Sequence, residues 1–280
     1  MNDRPWQNGK FIITAGLKPL EAKPIFLPEP ELSHYIKNKI KARSEGIDKH
    51  YPDSVGLTST ELEIIANKLR ALIPQTVYEG TFKDEIDFLI SQVPEDFSVW
   101  KMEDGKEWLA LIHLMSPNHW DAHQKIGKSF FDSHAPIPHI DAISKAAPKM
   151  FEQIQKRGAM ERFAWGVATD NRLNHHPVPP VGISVEEWQG RSFDPESPKL
   201  FIRMERQTLF PISEKLIGFT IKTSFTDVSI LPGEDLKLII QCIESMDEAI
   251  LKYKGLIRDK KNILQWLFTL TQERHISCTS

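Results

Sequence analysis

Residues 200–228, LFIRMERQTLFPISEKLIGFTIKTSFTDV, restrict the fold more than any other stretch of the chain. Two runs with a two-residue period are joined by a short turn, which predicts a β-hairpin. In the second run Ile217, Phe219, Ile221, Thr223 and Phe225 share one face, and Leu216, Gly218, Thr220, Lys222 and Ser224 take the other. The first run is less ordinary. Arg203 and Glu205 project to one side and Arg206 to the other, among the apolar Phe201, Ile202, Met204 and Leu209. Ionised groups in such surroundings need partners, because a desolvated, unpaired charge is too costly to persist. Two readings fit: a solvated edge strand whose charges discourage pairing with other chains, or a pocket wall presenting guanidiniums to an anionic ligand.

With 280 residues, 40% of them hydrophobic, the chain has enough apolar material for a substantial core. No long linker or low-complexity segment divides it, so residues 1–280 are expected to form one domain. A net charge of −3 gives no electrostatic case for nucleic acid or an anionic membrane. No apolar run approaches a membrane span and the N-terminus lacks the apolar segment of a signal peptide, so the expected location is cytoplasmic. Cys242 and Cys278 are too few for a disulfide framework, a four-cysteine zinc site or an iron–sulfur cluster. Any redox centre held by thiolates is expected on another chain.

Along the chain, Phe11 to Leu20 predicts a strand ending in a turn, and Glu31 to Arg43 a helix with Leu32, Tyr35, Ile36 and Ile40 on one side. Thr58 and Glu61 form a capping-box pattern before Leu62, Ile65, Leu69 and Leu72, with Pro74 as the stop. Ile86, Leu89, Ile90 and Val93 predict a short helix, and Trp108 to Met115 fits a strand buried on both faces or a short helix. Trp120 to Ser133 is expected to contain another helix, with Ile126 and Phe130 four apart. Pro136 and Pro138 then predict an extended segment after His134. A helix carrying Ile143, Ala147, Phe151 and Ile154 follows, with Pro148 at a kink or first turn. Glu161 to Thr169 reads as a strand, and residues 171–198 as a long loop with a turn near Glu186 to Trp188. One amphipathic helix is expected from Gly233 to Gly255, and a last one over Arg258 to Arg274.

There is no glycine-rich phosphate loop, dinucleotide fingerprint, nucleophile-elbow serine or paired-histidine zinc helix. Ten histidines remain, and imidazole binds zinc, copper and iron alike. A lone histidine is more often a hydrogen-bonded structural residue, and His175-His176 fits a solvated loop pair. His134 differs because the prolines beside it stiffen the chain, and a ligand needs a rigid seat.

Several blocks resemble the haem-dependent oxidative N-demethylase family: AGLKPL at 15–20, PEDFSVW at 94–100, SPNHWDAHQKIGKSFFDSHAPIP at 116–138, ERFAWGV at 161–167 and FIRMERQTLFPISEKLIGFTIKTSF at 201–225. The resemblance implies an α+β fold, a PAS-like antiparallel sheet flanked by helices, binding haem b. It implies His134 as the iron ligand, with Lys125, Arg162, Trp165, Arg203 and Arg206 around the cofactor and Glu205 and Arg206 in catalytic roles. Because Arg203 and Arg206 point to opposite faces, both are not expected on the propionates. The activity implied is O₂-dependent oxidation of a secondary amine such as dimethylamine to a primary amine and formaldehyde. Electrons would come from a separate NADPH-dependent reductase carrying flavin and a 2Fe–2S cluster. No Cys-x-x-Cys-His motif is present, so the haem would be non-covalent. Two positions depart from the family pattern: Ala164 replaces an asparagine in Arg162-Phe163-Ala164-Trp165, and Phe210 replaces a basic residue. A non-catalytic PAS-like sensor of haem or a small molecule, and a scaffold that has lost its cofactor, are the competing readings.

Overall fold

The computed structural model describes residues 4–28, 32–73, 75–189 and 192–277. Pro74 and Cys278 lie outside them. In chain order the elements are β1 (Lys18–Pro19), α1 (Leu32–Ser44), α2 (Ile47–His50), α3 (Ser59–Leu72), α4 (Glu85–Ile90), β2 (Asp96–Glu103), β3 (Lys106–His113), α5 (Phe130–His134), α6 (Asp141–Lys145), α7 (Ala147–Arg157), β4 (Met160–Ala168), α8 (Val185–Gln189), β5 (Phe201–Pro211), β6 (Leu216–Asp227), α9 (Gly233–Glu244), α10 (Glu248–Lys254) and α11 (Lys260–Ser277). The six strands form one antiparallel sheet in the order β1-β4-β5-β6-β2-β3, giving an α+β fold flanked by helices.

The hairpin supplies the middle of that sheet, with Arg203 opposite Phe225 and Leu209 opposite Phe219. Alternation then divides β5 between two environments. Ile202 packs with α9, α10 and α11, and Phe210 packs with α3 and α4. Leu209 turns to the opposite face, where it joins Trp100, Ile112 and Ile217 under Phe130 of α5 and Phe151 of α7. The sheet is therefore covered on both sides, as burial of its apolar residues requires.

Local chemistry explains most element ends. Thr58 Oγ1 accepts from Glu61 N at 3.2 Å and the Glu61 carboxylate accepts from Thr58 N at 2.8 Å, completing the capping box of α3. Pro148 sits in the first turn of α7, where its missing N–H costs nothing.

Five expectations are corrected. Only Lys18–Pro19 of the predicted N-terminal strand pairs, because residues 11–17 run along the cavity described below. The helix expected within 120–133 is α5, which takes in Phe130 but not Ile126, since Ser129 caps the chain by accepting from Asp132 N and the preceding residues form turns. The segment after His134 turns instead of extending: Ala135 is helical and Ile137 N donates to His134 O at 2.8 Å. The long helix after Gly233 is broken in two, because the Asp247 carboxylate accepts from Ile250 N and starts α10 afresh. In α1 the buried side is Tyr35, Lys39 and Ala42, while Ile40 is exposed. Lys39 replaces it in the interior by donating to the carbonyls of Ile90 and Glu95 at 2.6 and 2.7 Å.

Candidate functional site

A cavity of about 580 Å³ lies between α5 and the sheet face that carries the odd-numbered residues of β5. That volume falls within the ~300–1,000 Å³ common for small-molecule and cofactor sites. Trp100, Leu109, Ile112, Phe130, Leu209 and Phe219 supply apolar wall. Polar groups enter at a few points.

His134, the last residue of α5, is one of them. Its Nδ1 lies 2.8 Å from the carbonyl oxygen of Phe130, one helical turn earlier, and a carbonyl only accepts, so Nδ1–H donates. The ring stacks on Phe130, at 4.1 Å between centroids, and lies near-parallel to Trp100 at 6.4 Å, the three rings forming one cluster. Among the described residues nothing bonds to Nε2. Burial pushes the imidazole pKa down to about 4, with Lys125 and Arg162 adding to the effect against the Phe130 carbonyl. The result is a neutral, oriented imidazole with its Nε2 lone pair available, the state a metal ligand requires.

Two cationic side chains border the same region. Lys125 is half-buried, donates to the Ser133 carbonyl, and has its pKa lowered by burial and by Lys128. Arg162 projects from β4, and its buried Nε has no hydrogen-bond partner among the described residues. Burial lowers its pKa while the Glu205 charge opposes the shift. A largely desolvated guanidinium without a bonded partner is a place for an anion.

Glu205 also faces the cavity. It accepts from Arg203 Nε at 3.3 Å and from Gln207 Nε2 at 3.0 Å. Arg203 is committed elsewhere, donating to the carbonyls of Leu173 and Ser116 and to Thr223 Oγ1 at 3.3, 2.9 and 3.2 Å. It ties loops to the sheet and leaves little for a ligand. Arg206 is on the far face, where it pairs with Glu161 at 3.2 Å and donates to the carbonyls of Ile25 and Pro24 at 3.0 and 2.9 Å. Alternation along β5 separates it from the cavity, which corrects its assignment to the cofactor and to catalysis. Trp165 borders the cavity but packs edge-on against Trp6 and at a tilt against Phe11 in the core beneath α9.

The two departures from the family pattern also separate. Ala164 lines the cavity directly across from Glu205. Phe210 is 1% exposed, on the other face, and its ring lies over Gly218, whose missing side chain leaves the space. It is a core residue.

One group escaped sequence reasoning. His175 and His176 are both buried, not solvated. His175 lines the far end of the cavity with His119, and its Nε2 lies 2.7 Å from Asp170 Oδ1. Asp170 stands five residues earlier, and that spacing across a loop carries no periodic signal.

The fold and cavity define an α+β protein with an apolar, histidine-bearing, cation-rimmed pocket of cofactor size. Apolar walls suit a porphyrin, Lys125 and Arg162 suit its carboxylates, and the bare Nε2 of His134 suits its iron. Among the described residues no set of three histidine, cysteine or carboxylate side chains is gathered to hold an ion without such a cofactor. A family model agrees: residues 24–264 match haem-dependent oxidative N-demethylase, alpha subunit-like, and the chain belongs to that family. No curated protein matches the chain. Among the described residues no helix is long and apolar enough to cross a membrane.

Proposed function

We propose that this chain binds one non-covalent haem b through His134 Nε2 and oxidises a small secondary amine, such as dimethylamine, to a primary amine and formaldehyde at the expense of O₂. The observation that carries the reading is the bond from His134 Nδ1 to the Phe130 carbonyl at 2.8 Å, which fixes the tautomer and leaves Nε2 free at an apolar wall. When bound, haem supplies O₂ binding and oxidative chemistry at its iron. The chain's own residues do the rest. Lys125 and Arg162 meet the anionic propionates. Trp100, Phe130 and Leu209 exclude water from the reacting volume. Glu205 accepts an N–H from the protonated amine, and Ala164 across from it leaves room for the alkyl groups. Arg203 holds Glu205 in position.

The sheet with α5–α7 over one face is read as PAS-like. Membership of an alpha-subunit-like family supports further subunits. The electron source is read as a separate NADPH-dependent reductase with flavin and a 2Fe–2S cluster. Formaldehyde release from a panel of secondary amines, with haem-loaded protein, NADPH and such a reductase, tests the reading. Release is expected with small dialkylamines. Haem binding with no formaldehyde from any amine would instead support a sensor.

A further inference from the structure

Small side chains open a trench along one face of β4. Alternation puts Arg162, Ala164 and Gly166 on the same side of that strand, and their partners on β5 are Gln207, Glu205 and Arg203. All six line the cavity. Ala164 thus lies across from Glu205, and Gly166 across from Arg203. A glycine inside a strand gives up packing and marks a place where another group comes close.

The group that comes close is the side chain of Lys254, the last residue of α10. Ile250 and Leu251 of that helix pack with Trp165 and Val167 in the core on the other face of the sheet. From there Lys254 reaches round β4. Its Nζ donates to the Trp165 carbonyl at 3.1 Å and lies 3.3 Å from where a Cβ on Gly166 would stand. Because that Cβ would share the face of Arg203, the ammonium is on the cavity side, where Lys254 is part of the lining. An ammonium has three donors, so the Trp165 bond holds it in place without using up its charge. The rings of Phe11 and Tyr253 lie beside it, at 5.3 and 5.6 Å.

The trench therefore carries positive charge at Gly166 and negative charge at Ala164, where the Glu205 carboxylate is held by Arg203 and Gln207. Two residues of strand separate these ends by roughly 7 Å. Between them the floor offers a methyl group and bare backbone. Arg162, two residues from Ala164 in the other direction, is engaged by a propionate on the reading given above. A simple dialkylammonium ion meets Glu205 but is repelled by Lys254, whereas a zwitterion satisfies both.

We infer that the cavity is built for an N-methylated amino acid, its amine on Glu205 and its carboxylate, a short carbon chain away, on Lys254. The inference rests on the amine-oxidation reading and names its substrate class. CH₃–NH–R–COO⁻, O₂, two electrons from the reductase and two protons give H₂N–R–COO⁻, formaldehyde and water. The methyl carbon is oxidised, O₂ is reduced, and the C–N bond breaks with its electron pair on nitrogen as a C=O bond forms. The carboxylate takes no part in these steps, so Lys254 acts on KM.

The test compares γ-(methylamino)butyrate with its neutral amide, using haem-loaded protein and the reductase, in wild type, Lys254→Met and Lys254→Arg. Wild-type kcat/KM for the carboxylate should exceed that for the amide on the order of 10- to 100-fold, the range of one charge-assisted hydrogen bond. Calorimetric titration of haem-loaded wild type without reductase should show the same preference in Kd. Lys254→Met should bring the two substrates together by raising the KM of the carboxylate, and Lys254→Arg should keep the gap. An amide bound and demethylated as well as the carboxylate by wild type would overturn the inference whether or not a variant folds. So would a folded Lys254→Met protein that keeps the full preference. Formaldehyde from neither compound nor from dimethylamine would remove the amine-oxidation reading, and this substrate class with it.

Discussion

Phe210→Ala separates a core role from a site role at a position where the resemblance implied a basic residue. The Phe210 ring is 1% exposed and packs near Phe97, with centroids 6.4 Å apart. It also covers Gly218 so closely that a Cβ built there would lie 2.5 Å from Phe210 Cζ. Removing a buried phenyl costs about 3–5 kcal/mol in lost transfer energy and residual cavity. At ~2–4 °C per kcal/mol for chains of this order of size, the melting temperature should fall by roughly 6–20 °C. Gly218→Ala should cost about 1–3 kcal/mol by overpacking against the ring. Combined with Phe210→Ala it should cost much less, because the clash is gone and alanine is the better strand residue. Urea titrations of the two single variants and the double variant give the coupling, and haem titration gives the cofactor affinity. Additive costs, or lost haem affinity at full stability, would refute the placement of Phe210 beneath the sheet.

Arg206→Met leaves Glu161, whose side chain is 2% exposed, with Lys23 at 2.6 Å as its close cationic partner. Because Lys23 still neutralises Glu161, the loss should stay below the ~3–5 kcal/mol of a buried charge left unpaired, about 1–3 kcal/mol in urea unfolding, while the haem spectrum stays unchanged. Lys39 gives a pH signature. Burial lowers its pKa from 10.5 to about 8, so below pH 8 the folded state carries a disfavoured buried charge. Between pH 8 and 10.5 the unfolded chain binds the proton and the folded chain does not, so stability rises with pH, by on the order of 3 kcal/mol. The difference between wild type and Lys39→Met in urea midpoints from pH 7.5 to 10.5 should show that rise and lose it in the variant.

The sheet was readable wherever alternation was strong. The hairpin at 200–228, the strand within 108–115 and the capping box at Thr58 all follow from local pattern and propensity. Boundaries failed where a polar side chain competed with the helix, as Ser129 and Asp247 do by capping new starts. In the site, alternation placed Glu205 and Arg206 on opposite sides, but which side held the cavity depended on the helices packed above. The Glu161 partner of Arg206 comes from β4, forty-five residues away, and no local signal announces it. The same holds for His175, whose burial follows from the bridge to Asn118 and the Arg203 clamp.

On the proposed reading, His134 holds an iron porphyrin in this cavity. Titrating haem into wild type and His134→Ala, while following the Soret band, tests it most directly. A saturable band with one haem per wild-type chain, absent or displaced in a stably folded His134→Ala protein, is the predicted outcome. An identical band and affinity in both proteins would contradict it.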